Sequence, residues 1–176
     1  MIDEAISTIK TWKQKKQKIN LLDIGTGSAC IPISILKNIN SPLSDIETKA
    51  VDFSPEALKV AKINIKKHQL SNNIKLIQTD LLSCFLGEEA ICKLALVPTL
   101  ICANLPYLTK EQIEDSKTIQ KEPTMALDGG KNGMDFYLRL FVQIKYLLHI
   151  YKIPSLCLLA EIDNSQKEIF PKTLKH

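Results

Sequence analysis

Short apolar runs alternate with amphipathic stretches along this chain, and that alternation restricts the possible folds more than any single residue does. Ile19–Ile24 reads as a first strand, residues 48–51 as a second, Ile74–Gln78 as a third and residues 155–161 as a fifth. The fourth lies within residues 94–103, where Pro98 confines pairing to the later half because its ring nitrogen has no hydrogen to donate. Helical patterns fill the intervals. Residues 1–18 put Ile2, Ala5, Ile6, Ile9 and Trp12 on one face, and residues 29–37 follow the first strand. Ser54 is placed to cap a helix with Pro55 at its first position and Ala57, Leu58, Ala61 and Ile65 inward. Residues 109–119 are polar and helical, and 134–151 form a long amphipathic helix. Strands separated by helices predict an α/β, doubly wound, mostly parallel sheet. Ligands in such sheets sit at the carboxyl ends of the strands. Gly25, Asp52, Asp80 and Asn104 all fall at those ends.

A length of 176 residues suits one domain with a sizeable core, and 45% hydrophobic residues argue against disorder. The net charge of +4 permits an anionic partner without demanding one. Lys13, Lys15, Lys16 and Lys18 read as a solvated helix end with favourable dipole contacts, since no aromatics are interleaved with them. Cys30, Cys84, Cys92, Cys102 and Cys157 contain no CxxC pair and no metal-type spacing with histidine. They are expected as buried free thiols in a reducing cytoplasm, without a metal. Residues 1–17 lack the apolar core of a signal peptide, and no apolar run is long enough to span a membrane, so the expected setting is cytoplasmic. His68, His149 and His176 read as surface positions.

Two loops carry candidate chemistry. In Asp23-Ile24-Gly25-Thr26-Gly27-Ser28, the glycines permit a tight turn and close approach of a ligand to the backbone. Cys30 stands where a G-x-G-x-x-G fingerprint needs its third glycine, which disfavours a dinucleotide-dependent dehydrogenase. Asp52 can accept from two ribose hydroxyls, or serve as a turn residue; Phe53 can cover an adenine face, or lie in the core. Asp80 can accept from an exocyclic amine. Asp23 can accept from an α-amino group or order the glycine loop.

The second loop is Asn104-Leu105-Pro106-Tyr107. The Asn104 side-chain oxygen and the Leu105 carbonyl can each accept one hydrogen of a planar NH2 group. Pro106 restrains the backbone between them, and Tyr107 supplies a flat face. That arrangement suits an amide or an exocyclic amine held for attack through its nitrogen.

The glycine loop and the acids at successive strand ends are similar to those of class I S-adenosylmethionine-dependent methyltransferases. The resemblance implies a Rossmann-like fold, with S-adenosyl-L-methionine as cofactor and S-adenosyl-L-homocysteine as product. Cofactor residues implied are Asp23, Gly25, Thr26, Gly27, Asp52, Phe53, Asp80, Leu81 and Asn104; Asn104, Leu105, Pro106 and Tyr107 are the implied catalytic turn. A Leu after the Asn is common in rRNA adenine dimethylases, but the flanks favour another branch. Residues 23–31 resemble the D-x-G-T-G-S-G-C-I of protein-(glutamine-N5) methyltransferases of peptide release factors, with Ala29 replacing a glycine. Residues 51–58, with Ala61 and Asn64, resemble that family's second-strand segment. Residues 122–137, Glu122 through Tyr137, resemble its E-P-x-x-A-L-x-G-G-x-D-G-L-x-x-Y. By themselves Gly129, Gly130 and Gly133 read as a flexible loop; the resemblance makes them a wall near the substrate, with Glu122 a minor candidate for orienting it.

The implied substrate is the glutamine of the release factors' Gly-Gly-Gln loop, with nucleic acid disfavoured as a direct substrate. Leu81 stands where the family often has an aromatic residue, and Leu105 where it has proline. Residues 1–18 correspond to a linker helix and 19–176 to the catalytic domain. The family's N-terminal substrate-binding domain and C-terminal antiparallel strand pair are expected to be missing. Two other readings stay open: an adenine-N6 methyltransferase acting on RNA or DNA, and a catalytically inert cofactor-binding module.

Overall fold

All six residues of Ile19–Ile24 (β1) are buried, as a strand flanked on both edges and covered on both faces requires. A computed structural model describes residues 1–14, 17–87, 92–115 and 123–170. β1 pairs with Ile46–Asp52 (β2) on one side and Thr99–Ala103 (β4) on the other. Ile74–Gln78 (β3) joins β2, and Leu156–Ala160 (β5) joins β4. The order is β3-β2-β1-β4-β5, and every pair is parallel. The chain reverses its direction of travel across the sheet between β1 and β4, which places the switch point there.

Alternation along the strands divides the core. Leu22, Ile24, Val51, Ile101 and Ala103 face the helix Asp135–Ile150 (α5), which buries Tyr137, Leu140 and Leu147 against them. Ile19, Leu21, Ala50 and Leu100 face the other way. They pack against Ile2–Lys13 (α1), Cys30–Asn38 (α2) and Pro55–Lys67 (α3). Ser54 caps α3 by accepting from the Ala57 N–H at 3.1 Å, with Pro55 at its first position. The fourth strand starts after Pro98, as its missing donor demands.

Several boundaries differ from the sequence reading. α1 ends at Lys13 rather than 18, and Lys13 pairs with Asp45 instead of standing solvated. Lys15 and Lys16 lie outside the described residues. β2 extends to Ile46 and Asp52, because Ile46 is buried opposite Ile19. Lys110–Asp115 (α4) is the described part of the helix expected over 109–119. Phe53 is 64% exposed and so is no core residue. Cys84, Cys92 and Cys102 are buried, but Cys157 is half-buried and Cys30 exposed, since it faces outward at the start of α2. His68 and His149 are exposed; His176 lies outside the described residues. Among the described residues no helix is long and apolar enough to cross a membrane.

Candidate functional site

The loop leaving β1 is shaped by its own backbone. Gly25 and Gly27 take φ values of 69° and 54°, in the left-handed region glycine enters without a steric penalty. Ala29 caps α2 at φ 62°, which explains why a glycine is favoured there and marks a small strain in this chain. The Thr26 N–H reaches the Val51 carbonyl at 2.9 Å, and the Asn64 amide of α3 donates to the Ser28 carbonyl at 2.9 Å. A Cβ on Gly25 would lie 2.9 Å from Leu105 Cδ2, so the glycine loop and the Asn104 turn are in direct contact.

Asp52 is held by two backbone donors: Gly27 N–H to Oδ2 and Ser54 N–H to Oδ1, both 2.8 Å. Each oxygen keeps further acceptor capacity. Asp23 is wholly buried. It accepts from the Thr26 hydroxyl at 2.5 Å through Oδ2, while Oδ1 has no partner among the described residues. Burial pushes its carboxyl up to about 7; the Thr26 hydrogen bond opposes this shift, and the charge of Asp52 adds to it.

These strand ends open into a cavity of about 580 Å³. Gly25, Gly27, Asp52, Phe53, Asp80 and Leu81 line it on one side, with Asn104, Leu105 and Pro106 beside them. Pro123, Met125, Ala126, Phe136 and Arg139 also line it. Asp23 and Thr26 do not line it; they are hydrogen-bonded to each other away from it. Leu81 is buried at φ 52°. Tyr107 is half-buried beside the cavity, its hydroxyl 3.5 Å from Glu161 Oε1. Asn104 is exposed to the cavity. A second cavity, of about 520 Å³, lies at the opposite ends of β1, β2 and β3 and contains neither loop.

Three residues that sequence reasoning left without a role organise the site. The Tyr137 hydroxyl accepts from Leu105 N–H at 3.3 Å and donates toward the carbonyls of Glu161 and Ala103, joining the ends of β4 and β5. Gln166 is 2% exposed and places its side-chain nitrogen 2.8 Å from the Tyr107 carbonyl and 3.0 Å from that of Gly133. Arg139 pairs with Asp80. Tyr137 closes the recognised 122–137 segment, which was its only signal; Gln166 and Arg139 had none.

The glycines of that segment are closely packed. Leu108 bridges Asp128, and Gly129 N–H donates to the Leu108 carbonyl at 2.8 Å. A Cβ on Gly133 would lie 2.0 Å from the Tyr107 carbonyl oxygen. The segment therefore braces the Asn104 turn from behind. Glu122 lies outside the described residues.

The family described as "Methyltransferase domain" matches residues 15–125. The chain is similar to the ribosomal protein uL3 glutamine methyltransferase of Francisella tularensis subsp. tularensis, 32% identical over 148 residues, covering 84% of this chain and 42% of that protein. It is 35% identical over 146 residues to the release factor glutamine methyltransferase of Dictyoglomus turgidum, covering 82% and 47%. The release factor glutamine methyltransferase of Borreliella burgdorferi is 36% identical over 148 residues, with 82% and 45% covered. The chain thus spans a little under half the length of these relatives. Among solved structures, the hMettl16 catalytic domain in complex with MAT2A 3'UTR hairpin 6 superposes with a TM-score of 0.63 at 16% identity, covering 99% of this chain and 60% of that one. The ribosomal protein L11 methylase from Lactobacillus delbrueckii subsp. bulgaricus gives 0.51 at 18% identity, covering 97% and 65%. At those identities the likeness shows a shared fold.

Proposed function

The chain belongs to the methyltransferase-domain family, and from that premise we propose that it is an S-adenosyl-L-methionine-dependent N-methyltransferase acting on the glutamine side-chain amide of the Gly-Gly-Gln loop in peptide release factors. One observation carries the reading: Asn104 and Leu105 line the same cavity as Gly25, Gly27 and Asp52. A nitrogen held by the first pair is thereby brought to a cofactor held by the second set.

The residues fit that cofactor. A cavity of about 580 Å³ is in the range of small-molecule sites. Space at Gly27 is open, with nothing within 4 Å of where a Cβ would stand. Asp52 is pre-oriented with acceptor capacity left for two ribose hydroxyls, and Phe53, Asp80 and Leu81 surround the place for adenine. Asp23 and Thr26 act by ordering the glycine loop. The bound cofactor supplies an electrophilic methyl group on a sulfonium, with S-adenosyl-L-homocysteine as product.

Asn104 Oδ1 and the Leu105 carbonyl accept the two hydrogens of the substrate amide and orient its nitrogen. An amide nitrogen is a weak nucleophile because its lone pair is delocalised, so positioning is the main catalytic contribution. The same acceptors stabilise positive charge developing on that nitrogen. Pro106 and the Tyr137 hydroxyl keep the turn rigid, and Tyr107 stands beside it. The proton leaves to water after transfer.

The Francisella relative favours a second reading, in which the glutamine belongs to ribosomal protein uL3; the chemistry is unchanged. The test is calorimetric titration with S-adenosyl-L-homocysteine, followed by methyl transfer to a release factor and to uL3. Binding at about 1:1 and transfer to one of them are expected. Asn104→Ala should keep most of the cofactor affinity and lose about 100-fold or more in transfer. Equal turnover in that variant would sink the mechanism. Binding without transfer to either protein would leave the inert-module reading.

A further inference from the structure

We propose that Arg139 belongs to the adenine end of the cavity, where with Asp80 it forms a fixed acceptor–donor pair that reads the amino-purine edge. The inference rests on the cofactor reading above. Both side chains line the cavity and are ion-paired through Asp80 Oδ2 and a terminal guanidinium nitrogen. The guanidinium also lies over the Phe136 ring, 5.9 Å from its centroid, which restrains its plane. One turn further along α5, Gln143 accepts from the Leu82 N–H at 2.7 Å and donates to the Ser83 hydroxyl at 3.1 Å. α5 therefore holds the turn after β3 at two successive points.

The pairing leaves a defined set of free groups. Asp80 Oδ1 remains an acceptor, and the guanidinium retains N–H donors beside it. The edge of adenine offers the complement, an amino donor next to a ring-nitrogen acceptor. Hypoxanthine reverses that order, with a carbonyl in place of the amine. A purely structural role is the competing explanation. The two side chains are 49% and 40% exposed, however, and exposed ion pairs contribute little to folding. What the pair adds is orientation at the cavity wall.

The experiment is calorimetric titration of the whole chain with S-adenosyl-L-homocysteine and its deaminated analogue S-inosylhomocysteine, using the parent, Arg139→Gln, Asp80→Asn and the double variant. Arg139→Gln is expected to bind the adenine ligand roughly tenfold more weakly and to narrow the preference for it over the inosine ligand. The double variant should be no weaker than about the worse single one, because the two residues act as a unit. Arg139→Lys should behave like Arg139→Gln, since a point charge lacks the planar fork; it also serves if the Gln variant folds poorly. Parent-like affinity and selectivity in both Arg139 variants would overturn the proposal, as would losses that simply multiply in the double variant. Equal weakening toward both ligands would point to structure alone and overturn it too. A parent that binds neither ligand would instead remove the cofactor reading on which it rests.

Discussion

Asp23 shows how one residue's type can be read while its role stays hidden. It reads as a strand-end acid able either to meet a ligand's amino group or to order the glycine loop, and the fold buries it completely with the Thr26 hydroxyl donating to it. The consequence is a pH dependence. Its carboxyl sits near 3.8 when unperturbed and near 7 in the folded chain, chiefly through burial. A raised value means that folding favours the protonated form. That stabilisation is full below about pH 4 and is lost as pH rises through about 7. Asp23→Asn should therefore flatten the fall in unfolding free energy between pH 4 and 8, a difference on the order of 4 kcal/mol. Denaturant unfolding at a series of pH values measures it; parallel pH profiles for parent and variant would refute it. Asp52 was the more legible acid, because a carboxylate at a strand end next to an N-cap serine has backbone donors nearby.

At the level of elements, β1, β3 and the capped start of α3 were plain from local pattern, whereas the ends of α1 and β2 were not. Periodicity identifies a face but cannot say how far a neighbour extends to cover it. Ile46 joins β2 because Ile19 is there to pair with it. α5 illustrates the same limit: its apolar face was evident, yet Tyr137 on that face also carries a hydroxyl that knots β4 to β5 at Ala103, Leu105 and Glu161. Tyr137→Phe keeps the ring and leaves the buried Leu105 N–H without its acceptor. It should cost about 1–3 kcal/mol in stability by urea unfolding. A variant as stable as the parent would show that water or rearrangement replaces the hydroxyl without loss.

For the whole molecule, the parallel sheet is what gathers residues as far apart as Gly25 and Arg139 around one cavity. A ligand that fills this cavity binds only the folded chain, so it must stabilise it. S-adenosyl-L-homocysteine at about 100 times its dissociation constant should add roughly 2.7 kcal/mol to the unfolding free energy. Asp52→Ala at the same ligand concentration should gain distinctly less. Equal gains would remove Asp52 from the ribose role.

By itself the sequence determined the strand–helix alternation, the parallel sheet it requires, and the two loops at strand ends. Hydrophobic period, glycine at positive φ and proline's missing donor all act within a few residues. Only the tertiary structure decided that Arg139 meets Asp80, that Gln166 locks Tyr107 to Gly133, that Phe53 is exposed and that Asp23 is withdrawn from the cavity. Those outcomes depend on side chains from separate elements arriving at one point, and such meetings leave no periodic trace along the chain.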